Sequence, residues 1–364
     1  MAFKLREYNA PDLSQQKFRE SPDCRLEAAP ADGVAPLDFH ALSIYPEYFR
    51  IDGTWILCEE SRMDTVPVFD GEKIRSVEGR NLKKGELVVC GRTENCEEGI
   101  YMHTTGFDEG AKSGDVFAFR TGRSRETAFS KDIDEIVELL QYEKEHGNIV
   151  WVMGPAFSFD YKARKALAAI IADGYADAIL AGNALATHDL EGAYMNTALG
   201  QNIYTQENVH NGHYNHLDLI NRVRAAGSIP AFIEEEHLDN GIIVSAVKHN
   251  VPVVLAGSIR DDGPLPEVYG NCYGAQDAMR NCVRKATTVI AMATMLHSIA
   301  VGNMTPSFRV MEDGTVRQTY FYICDVSEFA INKLADRGSL SSKGIVTNVQ
   351  DFICNIANGL GLEY

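Results

Sequence analysis

Ile149-Val150-Trp151-Val152-Met153-Gly154-Pro155-Ala156 is an unbroken apolar run that stops on a glycine and a proline. A strand wetted on one face alternates apolar and polar residues. A strand-length apolar run without alternation is buried on both faces, as in a parallel sheet covered by helices. The same reading recurs downstream. Apolar strand runs are predicted at 178–181, 252–256, 287–293, 319–325 and 344–348, with helical patterns at 161–172, 188–199, 218–226 and 276–285 and a last helix from Val349. Upstream, a helix over 131–146 carries Ile133, Ile136, Val137, Leu139 and Leu140 near one face and closes at Gly147. Strand alternating with helix predicts an α/β, Rossmann-like domain over 131–364, a parallel sheet with helices on both faces.

Residues 41–130 have a different rhythm. Short β-prone pieces at 54–58, 65–69 and 86–90 are separated by the turn pairs Asp52-Gly53, Asp70-Gly71 and Lys84-Gly85, which predicts a small β-rich domain. Residues 1–40 are polar and interrupted by Pro11, Pro22, Pro30 and Pro36, and read as an extension or a shortened lead-in element.

Composition narrows the function classes. A formal charge of −17 argues against a basic nucleic-acid footprint. No apolar stretch approaches the roughly 20 residues that span a bilayer, and the first residues lack the apolar core of a secretory signal. A cytoplasmic enzyme is expected, without nucleic-acid or membrane partners. The eight cysteines are scattered without a CxxC pair or zinc spacing, so reduced thiols and no metal are expected, with Cys324 in the core.

In a doubly wound sheet, ligands bind beyond the C-terminal strand ends. There stand Gly154-Pro155-Ala156, Gly182-Asn183-Ala184, Ser258 to Gly263, Thr294-Met295-Leu296-His297, Asp325-Val326-Ser327 and Thr347-Asn348-Val349. Small residues let backbone amides approach a pyrophosphate, and a strand-end carboxylate accepts from ribose hydroxyls. The GxGxxG fingerprint is absent, so any other small-molecule site remains open, and tight turns also need glycine. His213 and His216 fit either helix capping or proton transfer. Arg260-Asp261-Asp262 fits either a polar site or a solvated turn, and Glu234-Glu235-Glu236 reads as a solvated charge run.

Several of these stretches resemble one family. Ala181 to Ala186, Gly212-His213 through His216-Leu217, Asn221-Arg222 to Ile229, Asn250-Val251-Pro252 through Pro266, Ala275 to Arg280, Ala293 to Ala300, Lys333 to Ser339 and Gly344 to Thr347 are similar to the archaeal-type ornithine cyclodeaminase, or LOR/SDH, family. That family includes the C-terminal half of cyanobacterial arginine dihydrolase/ornithine cyclodeaminase fusions. Tyr45-Pro46 to Arg50, Asp52 to Trp55 and Leu82 to Val89 extend the similarity to residues 40–364.

The resemblance implies a deoxyhypusine synthase-like nucleotide-binding fold with NAD at the strand-end loops. Asn183, Ala184, Thr294, Met295, Leu296, His297, Asp325, Ser327, Asn348 and Val349 are then cofactor-binding candidates. The implied reaction converts ornithine, or a close diamino acid, to proline and ammonia with NAD used catalytically; Asp261, Asp262 and His297 are the catalytic candidates, with His213 behind them. A homo-oligomer, dimer or tetramer, is implied as well. Departures from the family pattern fall at Phe157 to Tyr161, at the arginines Arg120, Arg123 and Arg125, at Ser327 where asparagine is expected, and at Asn348 where aspartate is expected. They leave open a net NAD-dependent amino-acid or opine-type oxidoreductase, or a catalytically silent NAD-binding subunit.

Overall fold

The computed structural model describes residues 3–107, 129–259, 261, 264–335 and 340–364. The apolar runs form a six-stranded sheet: β1 (Ile149–Met153), β2 (Ala178–Gly182), β3 (Val253–Ala256), β4 (Thr288–Met292), β5 (Tyr320–Asp325) and β6 (Ser342–Val346). They lie in the order β3-β2-β1-β4-β5-β6, every neighbouring pair parallel. This is the Rossmann order, and its switch point falls between β1 and β4.

The helices around this sheet are α1 (Ser130–His146), α2 (Tyr161–Ala172), α3 (Asn183–Met195), α4 (Asn215–Ala226), α5 (Ile229–Glu235), α6 (Ile242–Lys248), α7 (Cys272–Val283), α8 (Met295–Met304), α9 (Glu328–Ala335) and α10 (Val349–Gly359). They explain why the strands do not alternate. Ile149, Trp151 and Met153 enter a core with α1 to α6 and α10, whereas Val150 and Val152 enter a second core with α7 and α8. Both faces of β1 are therefore dry. Trp151 keeps its one polar atom bonded, donating from Nε1 to the Tyr175 carbonyl at 2.7 Å.

Upstream, Arg25–Ala28, Leu87–Cys90, Thr65–Phe69 and Ile74–Glu78 make a four-stranded antiparallel sheet, and Thr54–Leu57, Glu47–Ile51 and Ile100–Met102 a three-stranded one. Phe49, Ile51 and Ile100 of the second pack with Ile74 and Val89 of the first. Asp52 and Gly53, at φ 49° and 79°, turn the hairpin between Glu47–Ile51 and Thr54–Leu57, the conformation an Asp-Gly pair favours. The strand Arg25–Ala28 belongs to this sheet although it lies before residue 40; the prolines around it break periodicity but leave room for four paired residues.

Ion pairs join the two regions, among them those of Glu78, whose carboxylate lies 2.5 Å from Arg62 Nη2 and 2.7 Å from Arg280 Nε. A hairpin, Phe308–Val310 and Val316–Gln318, sits between α8 and β5 and reaches back, with Ser307 N donating to the Ser61 carbonyl at 3.1 Å and Val310 N to that of Glu59 at 3.0 Å. All eight cysteines are free. Cys324 is buried in β5, where burial and, less strongly, Asp325 push its thiol pKa up. Among the described residues no helix is long and apolar enough to cross a membrane.

Candidate active site

The switch point opens between the ends of β1 and β4. Gly154 N donates to the Met292 carbonyl at 2.9 Å, and a β-carbon on Gly154 would lie 1.9 Å from the Ala293 carbonyl oxygen. Only glycine permits that approach. Ala293 itself is left-handed, at φ 55°, a strained state for an alanine that turns the chain from β4 into α8.

In a Rossmann fold with GxGxxG, the helix after β1 receives the pyrophosphate. Here that position is occupied. A 3-10 turn, Pro155–Phe159, intervenes, and Asp160 caps α2 by accepting from Ala163 N at 2.8 Å. The helix after β4 is different: Thr294 precedes α8 without a side-chain cap, so the first-turn amides of Met295, Leu296 and His297 are available to an anion. The departure at Phe157 to Tyr161 is thus structural in part, with Phe157 in the core, Asp160 as a cap and Tyr161 against Tyr204.

Beside α8, Asp325 ends β5, with Oδ1 accepting from Ser327 N at 2.8 Å. Asn348 caps α10, its Oδ1 accepting from Gln350 N at 2.8 Å and Asp351 N at 3.2 Å, while the Val349 side chain is buried in the core. Gln350 Nε2 in turn donates to the Ala156 carbonyl at 2.8 Å, tying α10 to the loop after β1.

The second half of the site is a cavity of about 490 Å³ at the start of α3. Asn183, Ala184 and Asp261 line it, together with His188, His216 and Arg224. Asn183 Oδ1 accepts from Leu265 N at 3.1 Å, which holds the segment after β3 against α3. Asp261 Oδ2 accepts from Ser258 N at 2.7 Å in a tight turn. Leu199, Leu217 and Ile220 add an apolar wall. The two halves meet at Gly182, the residue before α3, on which the His297 ring packs. Burial lowers the His297 pKa, so its ring is neutral near pH 7.

The candidates therefore fall into two groups: Asn183, Ala184 and Asp261 line the cavity, and Thr294 to His297, Asp325, Ser327, Asn348 and Val349 stand at the ends of β4, β5 and β6. His213 lies outside the cavity lining, exposed on a 3-10 turn, its ring 4.2 Å from that of Tyr214; its neighbour His216 faces the cavity. Asp262 and Arg120, Arg123 and Arg125 lie outside the described residues.

Sequence reasoning did not find His188 and Glu191. His188 Nδ1 is 3.1 Å from Glu191 Oε2, and the buried carboxylate also accepts from Thr197 Oγ1 at 2.7 Å, Leu199 N at 2.9 Å and Gly200 N at 3.0 Å. Burial alone would raise the Glu191 pKa, but the bonds from His188, Gly200, Thr197 and Leu199 outweigh it and hold the carboxyl below its usual range. The available signal was a His and a Glu three apart on a helix.

A parallel sheet in Rossmann order, with a cavity of polar and apolar residues at the C-terminal end of β2, defines a Rossmann-fold enzyme. A family model described as "Arginine dihydrolase ArgZ-like, C-terminal, Rossmann fold" matches residues 133–356. An ornithine cyclodeaminase of Methanopyrus kandleri is 38% identical, the match covering 98% of this chain and 82% of that protein. The chain belongs to the archaeal-type ornithine cyclodeaminase family. The crystal structure of a conserved putative LOR/SDH protein from Methanococcus maripaludis is similar at a TM-score of 0.84 and 34% identity, over 93% of this chain and 98% of that one. A ternary complex of AgrE with ornithine and NAD+ is similar at a TM-score of 0.59 and 32% identity, over 94% of this chain and 46% of AgrE.

Proposed function

We propose that this protein binds NAD across its switch point and converts ornithine, or a close diamino acid, to proline and ammonia. The observation that carries the reading is the cavity at the start of α3, which combines a guanidinium, a carboxylate and an apolar wall. That is the complement of an aliphatic diamino acid: Arg224 suits its carboxylate, Asp261 its side-chain ammonium, and Leu199, Leu217 and Ile220 its methylenes.

The fit to NAD rests on the free amides of α8 for the pyrophosphate and on Asp325, steadied by the Ser327 amide, for ribose hydroxyls. When bound, NAD supplies a two-electron acceptor that is restored within the same cycle, so the overall conversion is redox-neutral. The protein's own work is to hold the substrate carboxylate and ammonium apart at fixed positions, to manage protons at the amines, and to keep water from the reacting carbon. His297, neutral at the seam between the two halves, can donate or accept a hydrogen bond there without carrying charge.

Purified protein given ornithine and a trace of NAD is expected to release ammonia and proline in equal amounts without lasting NADH absorbance. No ammonia would sink the reading, and stoichiometric NADH would replace it with a net oxidoreductase. The reading includes a homo-oligomer, supported by Met295, Leu296, Val326 and Phe329, which leave large apolar side chains exposed on segments past β4 and β5. Sedimentation at the mass of a monomer would remove that part.

A further inference from the structure

Glu191 decides which nitrogen of His188 carries the proton. Its carboxylate is ionised and can only accept, and its other three partners are a hydroxyl and two amides that donate to it. The His188 nitrogen 3.1 Å away therefore donates as well, which makes Nδ1 the protonated nitrogen of the neutral ring and leaves the Nε2 lone pair free. The cradle is itself fixed, because Thr197 Oγ1 accepts from Asn215 Nδ2 at 2.8 Å at the start of α4. Phe159 packs against the imidazole with 5.6 Å between ring centroids, so the ring cannot turn freely. The His188 side chain is 11% exposed, and what exposure it has belongs to the cavity wall. A purely structural histidine needs neither an ionised partner so fully satisfied nor an open second nitrogen.

We propose that His188, oriented by Glu191, takes the proton from the substrate ammonium. This rests on the diamino-acid reading of the cavity. The step is a proton transfer alone: the ammonium N–H bond breaks, its electron pair stays on nitrogen as the lone pair that ring closure requires, and the proton becomes the second N–H of an imidazolium. The same imidazolium then returns the proton to the departing ammonia, so the cycle closes without an external acid. Glu191 acts as the positioning residue and stabilises the imidazolium. The titratable and charged groups that share the cavity with His188 are His216 and Arg224 of α4 and Asp261 after β3; the His216 ring centroid is 6.2 Å away.

The test uses His188→Asn, whose amide can still donate to Glu191 but offers no base. NAD affinity and melting temperature are expected to stay near wild type, while proline formation near pH 7 falls about 100-fold or more, the scale of a lost general base. The deficit should narrow as the pH approaches the substrate amine's own pKa, because more substrate then arrives deprotonated. In His188→Ala, added imidazole should restore part of the rate. A deficit of the same size at every pH, or wild-type rates in His188→Asn, overturns the proposal while leaving the overall reaction standing. A wild-type enzyme that forms no proline overturns the reaction itself. Independently of turnover, the nitrogen resonances of His188 should show the proton on Nδ1; a proton on Nε2 would overturn the assignment.

Discussion

The imidazole of His297 lies directly over Gly182, its Cε1 3.1 Å from where a β-carbon on Gly182 would stand. Gly182 ends β2 just before α3, which lines the cavity, and His297 belongs to the first turn of α8, so this contact couples the two halves of the site. Alanine at position 182 strains no backbone angle, at φ −98°, but it requires the ring to give by a few tenths of an ångström. Misplacement on that scale is costly to a reaction that depends on alignment. Gly182→Ala is expected to lower kcat/KM about 10-fold with little change in melting temperature. Steady-state kinetics beside a thermal melt check this, and unchanged kinetics would mean that the ring position does not matter.

The half-buried His297 also makes stability depend on pH. Its folded pKa lies below the unfolded value of 6.5, so between the two the unfolded chain holds a proton that the native ring refuses. Stability from this group is complete above pH 6.5 and falls as the pH drops through the window toward the folded value, by at most about 1.4 kcal/mol per pH unit. Glu191, lowered from 4.5, adds a separate loss that starts only below that value, where the unfolded carboxyl protonates first. Denaturant titrations from pH 8 to 5 should show the first decline, and His297→Gln should flatten it. An unchanged slope in that variant would remove His297 as the cause.

Much of the fold was legible because the centre of the main sheet is dry on both sides. Five of the six parallel strands appear as apolar runs, and Ile149–Met153 has the same limits in sequence and structure; the edge strand Ser342–Val346 is mostly half-exposed and starts two residues before the predicted 344–348. The helices were legible where one face stayed polar. α1, α2 and α4 stand out for that reason, but α8 reads as Met-Leu-His-Ser-Ile-Ala-Val-Gly, apolar nearly throughout, and carries no helical period. α5 and α6 span only seven residues each, too short for a pattern. The periodicity predicts a helix over 188–199, whereas α3 starts at Asn183, because Gly182-Asn183-Ala184 resembles a loop and the cap is a glycine. In the site, strand-end residues could be named since topology alone brings them together. The Glu191 cradle could not, as it is assembled from a turn at Thr197 to Gly200 whose amides have no sequence signature.

Asp261 offers a cleaner electrostatic experiment than most charged loop residues. In Asp261→Asn the side-chain oxygen can still accept from Ser258 N, so the turn after β3 keeps its shape while the cavity loses its carboxylate. A charge-assisted bond to a substrate ammonium contributes about 1.5–3 kcal/mol. The variant should therefore lose roughly 10- to 100-fold in kcat/KM for ornithine, chiefly through KM, with NAD affinity preserved. Wild-type KM in the variant would remove Asp261 from substrate recognition.

The junction between the β-rich region and the Rossmann domain has a buried carboxylate at its centre. Glu78 serves two guanidiniums, those of Arg62 and Arg280, whose side chains are 2% and 8% exposed. Burial opposes ionisation of Glu78, yet the two arginines prevail and keep its pKa below the usual value. Glu78→Gln would leave two buried cations with only their longer contacts, Arg62 to Glu60 at 3.5 Å and Arg280 to Asp277 at 3.3 Å, and removing one partner of such a group costs up to about 3–5 kcal/mol. Replacing the whole cluster with apolar residues of similar volume need not cost as much, because the desolvation of all three charges is then relieved together. The expected outcome is a markedly lower melting temperature for Glu78→Gln, partly recovered in Glu78→Gln/Arg62→Met, where one of the facing cations is gone. If the double variant melts no higher than the single one, the cost lies in lost packing, and charge repulsion at the junction is not its source.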